Sequence, residues 1–189
     1  MTAASPSTAV CVFCSAQTSN PRHLSLASEL GAELARRGYA VISGGGRVSC
    51  MGALARAARA GGARTVGIAV DVPVVEGLDL ADDEADELVI APNLQVRKQL
   101  MIDRADAFVV MAGGTGTLSE MLDVITGRAL DTHRKPLVVV DPDGVFAPFR
   151  AQLGLLPTLG LMSSDLHKYV QWATSPYEAL DLLESSCVR

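Results

Sequence analysis

Hydrophobic and polar positions along this 189-residue chain alternate between two spacings. Short β-branched runs such as "AVCVFC" and "YAVIS" have the length of buried strands. The stretches between them repeat apolar residues every three to four positions, as amphipathic helices do. Strand and helix follow one another up to "KPLVVV". That order predicts βαβ units, and therefore a Rossmann-like, open and mainly parallel α/β sheet with helices on both faces.

Turn and cap residues predict where the helices begin and end. From Val145 onward we expect helix, interrupted only by a short apolar break at "KYVQWA" before a last amphipathic helix. The acidic residues 71–86 read as an irregular surface loop. The expected caps and terminators are Asn20 with Pro21, Gly38, Ser49, Gly61 with Gly62, and Ser175 with Pro176.

The composition narrows the class of protein. A length of 189 residues and a hydrophobic content of 49% fit a single domain over 1–189, and the motifs fall within about 10–149. The formal charge of −5 argues against duplex DNA or an anionic membrane as partner. The N-terminal residues lack the pattern of a signal peptide, and no apolar run reaches the roughly 20 residues of a membrane span. We therefore expect a cytoplasmic protein.

Four cysteines include Cys11 and Cys14, which have the spacing of a thiol redox motif or of half a zinc site. No second such pair and no histidine cluster completes a metal site in the sequence. Both cysteines lie in an apolar strand, where free cysteines pack as small hydrophobic side chains. We expect packing, and no metal.

Two glycine loops follow predicted strands, at 44–46 and 113–116. Ligands bind at the carboxyl ends of parallel strands, where glycines let the backbone approach and helix N-termini offer N–H groups to anions. Each loop has serine at the position where a dinucleotide-binding fingerprint has its third glycine, which argues against an NAD-binding protein. Neither loop is followed by the lysine of a P-loop, which argues against a nucleoside triphosphatase. The pattern favours a phosphate cradle of another kind.

Charged residues near these loops have two interpretations each. Arg97 and Lys98 could orient an anionic ligand, with arginine better suited to bidentate pairing, or they could lie on a solvated helix face. Glu120 could act in chemistry, it could complete a capping box with Thr117 in the pattern T-x-x-E, or it could do both. His133 and His167 have polar neighbours and read as surface histidines.

The motifs, taken together, resemble one family. "AGGTGTLSE" is similar to the PGGxGTxxE hallmark of the LOG, or "lonely guy", proteins, with Ala112 in place of the proline and Ser119 where an acidic residue is common. "VCVFCSA" resembles the first strand of that family, "SGGGRVSCMG" its GGGxxxxMG loop and "RKQLM" its RKxxM motif. The likeness runs in the same order over residues Val10 to Phe149.

The resemblance implies roles for individual residues. Arg97 and Glu120 would be the catalytic pair, and a further set would bind the substrate. Ser15, Lys98 and Thr126 look similar to nucleotide contacts, and Ser119 lies within the motif. The loop residues implied to bind the 5'-phosphate are Gly113, Gly114, Gly116 and Thr117, with Thr115 at the variable position.

The activity implied by the resemblance is hydrolysis of the N-glycosidic bond of cytokinin riboside 5'-monophosphates, which are N6-modified AMP, to free base and ribose 5-phosphate. No cofactor is implied, and the small-molecule nucleotide is the expected partner, with no nucleic acid and no membrane. The family also implies a homodimer or a larger assembly of dimers. The alternative is a non-catalytic nucleotide-binding or carrier protein of the same fold.

The label of lysine decarboxylase, also attached to this family, conflicts with the lysine content. A pyridoxal phosphate enzyme needs a lysine for its Schiff base. The chain has only Lys98, Lys135 and Lys168, and Lys98 belongs to the "RKQLM" motif.

Overall fold

The structure is a computed structural model, which describes residues 8–70, 81–162 and 169–187. Within these ranges the chain forms seven strands and six helices. The strands are β1 (Ala9–Phe13), β2 (Ala40–Ser43), β3 (Thr65–Val70), β4 (Glu87–Ala91), β5 (Ala107–Val110), β6 (Leu137–Val140) and β7 (Val170–Ala173). The helices are α1 (Pro21–Arg36), α2 (Ser49–Ala60), α3 (Leu94–Arg104), α4 (Thr115–Ala129), α5 (Ala147–Thr158) and α6 (Pro176–Cys187).

The strands form one parallel sheet in the order β4-β3-β2-β1-β5-β6-β7. Helices α1, α2 and α6 bury apolar side chains on one face, and α3, α4 and α5 do so on the other. Strands β1, β5 and β6 are buried on both faces, which is why they read as continuous apolar runs. The prediction of an α/β sheet with helices on both faces is confirmed.

The strand order reverses direction at β1. The chain moves outward from β1 through β2 and β3 to β4, and then returns to place β5 on the other side of β1. Val10 pairs with Ala107 and Phe13 with Val110, so both strands end at the same level. Loops that leave a parallel sheet on either side of such a point open a crevice at its carboxyl edge. The loop after β1 and the second glycine loop therefore lie next to each other.

Most predicted helix ends are confirmed. Asn20 Oδ1 accepts a hydrogen bond from the N–H of Arg22 at 3.0 Å and caps α1. Gly38, at φ +79°, follows the end of that helix in the left-handed region that favours glycine. Ser175 Oγ accepts from the N–H of Glu178 at 3.2 Å at the start of α6.

The predicted cap at Ser49 is wrong. Ser49 is itself the first residue of α2, with a left-handed φ of 55°, and the preceding Val48 makes no side-chain cap. The Ser49 hydroxyl instead donates to the carbonyl of Thr18 at 2.9 Å. It therefore ties the start of α2 to the loop after β1.

The apolar break expected in the C-terminal helical region contains a strand that was not predicted, at residues 170–173. "VQWA" forms β7, which pairs in parallel with β6 from Leu137 to Val140. Four residues are too few for the alternation of a strand to stand out from a buried helix segment. The loop predicted at 71–86 lies outside the described residues up to 80, as does His167.

Of the two cysteines of the CxxC spacing, Cys11 lies in β1 and Cys14 directly follows it, and they belong to opposite sides of the sheet. Cys11 packs in the cluster of α3, α4 and α5, and Cys14 packs in the cluster of α1, α2 and α6. Both are buried free thiols, and burial raises the pKa of each well above its usual value. The packing prediction for this pair is confirmed.

The length and apolarity of the helices decide whether any of them could span a membrane. Among those in the described ranges, none combines the length and the apolarity needed to cross a bilayer.

Candidate functional site

An ion pair between two helices stands at the carboxyl edge of the sheet. Arg97 in α3 donates from Nη1 to Glu120 Oε1 in α4 at 2.7 Å, and the two side chains are 13% and 10% exposed. Arg97 Nε also donates to the carbonyl of Ile68 in β3 at 2.8 Å. Two hydrogen bonds from one planar guanidinium fix its orientation as well as its position.

The first glycine loop packs against this guanidinium. A methyl group at Gly44 would overlap Arg97 Nη2 and come within 2.8 Å of Met51 Sδ. Gly45 has φ +75°, and its backbone lies over β3, where a side chain would come within 3.2 Å of the amide nitrogens of Ile68 and Ala69. The loop therefore needs glycine so that the backbone can lie between β3 and Arg97.

The second glycine loop opens helix α4. Gly114 is the N-cap, with φ −89° and ψ −158°, and no side chain caps the helix there. The first intrahelical bond runs from the N–H of Leu118 to the carbonyl of Gly114 at 3.1 Å. The N–H groups of Thr115, Gly116 and Thr117 precede that bond and point out of the helix end, where they can receive an anion.

The glycines of this loop differ in what they permit. A methyl group at Gly113 would overlap the Thr117 hydroxyl, so that Gly113 allows the buried Thr117 to fold back against the loop. A methyl group at Gly114 or Gly116 would meet no protein atom within 4 Å. Packing within the chain does not demand glycine at these two positions, whereas a ligand close to the backbone would.

The predicted capping box at Thr117 and Glu120 is wrong. Helix α4 begins at Thr115, two residues earlier, so Thr117 lies in its first turn and Glu120 in its second. The Glu120 carboxylate binds Arg97 instead of reaching back to the helix end. Of the two interpretations of Glu120, the capping one is removed.

Lys98 lies beside the pair rather than in it. Its ammonium contacts Asp123 Oδ2 at 2.6 Å and donates to Ser119 Oγ at 3.2 Å, both in α4. The side chain of Lys98 is 13% exposed. Neither Arg97 nor Lys98 therefore lies on a solvated helix face. Asp123 was not expected in the site, because a single carboxylate in an amphipathic helix reads as a surface residue.

Ser15 follows β1 at the switch point. Its N–H donates to the carbonyl of Ala112 at 3.2 Å, and its hydroxyl accepts from the N–H groups of Gln17 and Thr18 at 3.2 and 3.1 Å. Ser15 thus joins the loop after β1 to the entrance of the second glycine loop. The residues that the structure brings to this edge are Ser15, Arg97, Lys98, Gly113, Gly114, Thr115, Gly116, Thr117, Ser119 and Glu120.

Thr126 is not brought to the same place. It is exposed and lies six residues after Glu120 in α4, about 9 Å further along the helix axis at 1.5 Å per residue. Six residues also turn the side chain through about 240° relative to Glu120 at 3.6 residues per turn. In this chain, Thr126 therefore faces away from the Arg97–Glu120 pair.

Burial controls the electrostatics of the pair. Removal from water raises the pKa of Glu120 above its ordinary value of 4.5, while the charge and the hydrogen bond of Arg97 oppose that shift. The charge of Glu120 in turn helps to raise the pKa of Cys11, which lies below it in β1. A carboxylate held in this way can stabilise a cation or accept a proton.

The lysines of the described ranges are both engaged. Lys98 binds Asp123, and Lys135 Nζ donates to the carbonyls of Ile102 at 2.7 Å and Asp103 at 3.2 Å. Neither is placed as a free amine for a Schiff base.

His133 is partly buried and not a surface residue as predicted. Its ring lies 6.0 Å from that of Phe108 between centroids, and burial lowers its pKa. The polar neighbours of His133 in the sequence gave no sign of this, because the contact with Phe108 is made across 25 residues.

Fold and geometry together define a class: a Rossmann-like α/β protein with a glycine-lined helix N-terminus beside a buried arginine–glutamate pair. Among proteins of known sequence, a chain from Mycobacterium tuberculosis named cytokinin riboside 5'-monophosphate phosphoribohydrolase is 49% identical over 150 residues, which cover 79% of each chain. The rice protein of that name with the suffix LOG is 31% identical over 177 residues, or 93% of this chain and 72% of its own. The family profile described as "Possible lysine decarboxylase" matches residues 51–183. The chain belongs to this family, the LOG family of cytokinin riboside 5'-monophosphate phosphoribohydrolases.

Solved structures agree on the fold. The molybdenum cofactor carrier protein of Chlamydomonas reinhardtii superposes with a TM-score of 0.73 over 97% of this chain and 99% of its own, at 19% identity. A molybdenum cofactor binding protein of Rippkaea orientalis gives 0.69 over 95% and 96%, at 22% identity. At these identities the likeness shows the architecture alone.

Proposed function

We propose that this protein hydrolyses the N-glycosidic bond of a nucleoside 5'-monophosphate of the cytokinin riboside type, releasing the free base and ribose 5-phosphate. The observation that carries the proposal is the buried Arg97–Glu120 pair, because Glu120 lies in the second turn of helix α4, close to the open N-terminal end of that helix. Relatives at 49% and 47% identity bear the name of this activity. A protein that only binds a nucleotide has no need of a buried, oriented carboxylate beside an anion site.

Each group would have one task in this reaction. The 5'-phosphate binds the N–H groups of Thr115, Gly116 and Thr117, where the helix dipole favours negative charge. Water adds to the anomeric carbon of the ribose, the bond to the base nitrogen breaks, and its electron pair leaves with the base, whose nitrogen takes up a proton from the solvent. Positive charge grows on the ribose as that bond breaks, and the Glu120 carboxylate stabilises it and can accept the proton of the attacking water.

Arg97 would hold Glu120 in its working orientation. The guanidinium fixes one carboxylate oxygen, Oε1, at 2.7 Å, and the other oxygen takes no part in that bond. The raised pKa of Glu120 makes it a better proton acceptor than an exposed glutamate. The carboxylate must be ionised to act. We therefore expect kcat/KM to decrease as the pH is lowered, and this decrease should begin at a higher pH than for a glutamate with the ordinary pKa of 4.5.

The decisive experiment replaces Glu120→Gln and measures the release of free base by chromatography. AMP and N6-isopentenyl-AMP serve as substrates, at saturating concentration. We expect kcat to fall by at least about a hundredfold, as on removal of one oriented charge from a transition state. Glu178→Gln is the matched control, because Glu178 is a helix-start carboxylate whose contacts, to Thr174 N and Oγ1, are capping ones.

Two outcomes would contradict the proposal. If the unaltered protein releases no base from either nucleotide but binds both, a carrier or binding protein is the better assignment. If Glu120→Gln and Glu178→Gln are both as active as the unaltered protein, catalysis does not depend on the Arg97–Glu120 pair.

We further propose that the protein works as a homodimer or an assembly of dimers. Four apolar residues of α4 recur at helical spacing, namely Leu118, Met121, Leu122 and Ile125. The structure buries Met121 and Ile125 in the core and packs Leu118 against it, leaving Leu122 41% exposed. Other exposed apolar residues on the elements of that side of the sheet are Leu94 and Val96 in α3 and Leu130 directly after α4. Thr126, on the exposed face of α4, would then serve the site of a neighbouring copy. Light scattering coupled to chromatography tests this, and a monomer with full activity would contradict it.

A further inference from the structure

A second buried ion pair lies on the other side of the first glycine loop. Arg59, near the end of α2, donates to Asp82 from Nη1 at 2.7 Å and from Nη2 at 3.2 Å. The side chain of Asp82 is 6% exposed and that of Arg59 is 18% exposed. Burying two charges costs desolvation free energy, which is offset only when the charges are held together in one good geometry. A pair as buried as this one therefore fixes the position of the groups that it joins.

The backbone of Asp82 is bound to the glycine loop. Its N–H donates to the carbonyl of Gly45 at 2.8 Å, and Ala81 forms an isolated antiparallel bridge with Gly46. On its other side Gly45 packs over β3, where a methyl group at Gly67 would come within 3.0 Å of the Gly45 Cα. The loop is therefore clamped between β3 and residues 81–82.

Gly44 transmits this clamp to Arg97. Its backbone is packed so closely on the Arg97 guanidinium that not even a methyl group fits between them. If residues 81–82 moved away from Gly45, the loop would lose the contacts on its outer side. The Arg97 guanidinium would then lose its packing against Gly44. The chain of contacts runs from Arg59 through Asp82, the glycine loop and Arg97 to Glu120.

We propose that Arg59 and Asp82 are positioning residues, which hold the glycine loop against Arg97 and thereby fix the guanidinium that orients Glu120. This inference rests on the proposed function of the Arg97–Glu120 pair. Neither residue lies in the motifs of the site, and each acts only through groups that lie between it and the substrate. The alternative is that the pair only tethers residues 81–84 to α2.

The kinetic test uses Asp82→Asn, which keeps the shape of the side chain but removes its charge, and Arg59→Lys, which keeps the charge but loses the planar fork. The control is Glu87→Gln, which breaks ion pairs to Arg64 and Arg104 that do not touch the glycine loop. With N6-isopentenyl-AMP we expect kcat to fall about 3- to 30-fold in Asp82→Asn, and less in Arg59→Lys. We expect KM to change little, because the helix end that binds phosphate is untouched.

The pH profile separates positioning from mere stability. Glu120 is faced by Arg97 and Lys98 from α3, by Asp123 from its own helix, by Cys11 from β1 and by Cys14 directly after that strand. Of these, only Arg97 is held by the glycine loop. If Arg97 is displaced, Glu120 loses part of its positive partner, and the acid limb of kcat/KM moves to higher pH. If the pair only tethers residues 81–84 to α2, Asp82→Asn would lower the unfolding midpoint and leave that limb in place.

A spectroscopic measurement keeps the test independent of turnover. In protein labelled with ¹⁵N-arginine, the Nε–H resonance of Arg97 reports its bond to Ile68, and Arg97→Lys assigns it by its loss. We expect this resonance to shift in Asp82→Asn and to stay in place in Glu87→Gln. An unmoved resonance in folded Asp82→Asn, or an unmoved acid limb, would overturn the positioning role. Absence of base release by the unaltered protein would overturn the proposed function, while the resonance still decides the contact.

Discussion

Replacing Gly116→Ala should separate folding from ligand binding. Gly116 is the second residue of α4, its φ is not in the left-handed region, and a methyl group there would meet no protein atom within 4 Å. Alanine is the better helix former, and removing the extra freedom of glycine from the unfolded chain stabilises the fold by about 0.5 kcal/mol. For a chain of this size that raises the unfolding midpoint by about 1 to 2 °C.

Binding should change in the opposite direction. If a phosphate rests on the N–H groups of Thr115 to Thr117, a methyl group at Gly116 pushes it away from at least one of them. A hydrogen bond to a charged group contributes about 1.5 to 3 kcal/mol, so we expect KM for the nucleotide to rise about tenfold or more. The protection that AMP gives against thermal unfolding should weaken to the same degree.

Gly154→Ala is the matched control for this experiment. Gly154 is an exposed helical glycine in α5 with no atom within 4 Å of an added methyl group. It should raise the unfolding midpoint in the same way and leave the kinetics unchanged. If Gly116→Ala is stabilised and binds the nucleotide as tightly as the unaltered protein, the helix end is not the phosphate site.

Two further changes test other contacts. Gly44→Ala introduces a methyl group where Arg97 Nη2 lies, so the guanidinium must shift. We expect kcat to fall at least about tenfold, while circular dichroism shows an intact fold. An unchanged kcat would show that the orientation of Arg97 does not limit the reaction. Glu33 is buried under the guanidinium groups of Arg36 and Arg37, whose hydrogen bonds lower its pKa from 4.5 to about 2. A lowered pKa contributes stability that is present above pH 4.5 and is lost as the pH falls toward 2. Glu33→Gln should therefore unfold at a lower temperature at pH 7 and show a weaker pH dependence below 4.5 in thermal melts, and an unchanged dependence would contradict this.

The sheet was predictable because its strands are buried on both faces and its helices carry clear end signals. Asn20 and Gly38 act locally, through bonds to residues two to four positions away, so their effect does not depend on which strands become neighbours. The strand β7 was missed because four residues at an edge carry too little pattern. The T-x-x-E box was assigned to Thr117, yet α4 begins at Thr115, since Gly114 can adopt the N-cap conformation without a side-chain cap.

The site was predictable as a set of motifs and not as a geometry. The contact between Arg97 and Glu120 spans 23 residues, and it depends on which strands become neighbours. Local pattern carried no information about Asp123 as partner of Lys98, about the buried ring of His133, or about the bond from Asp82 to Gly45. These contacts arise only when α3, α4 and residues 81–82 are brought to one edge of the sheet.

Helix α4 also acts as a ruler. The N–H groups that would receive the phosphate and the carboxylate of Glu120 belong to one rigid element, five residues apart from Thr115, or about 7.5 Å along the axis. In the proposed reaction, backbone geometry sets the spacing between the helix end and the Glu120 Cα, and the bond to Arg97 fixes the carboxylate beyond it. A nucleotide with one phosphate would place its ribose at the carboxylate, whereas an added phosphate group would displace the scissile bond from it. The selection of monophosphates over longer nucleotides would thus follow from the pitch of a helix.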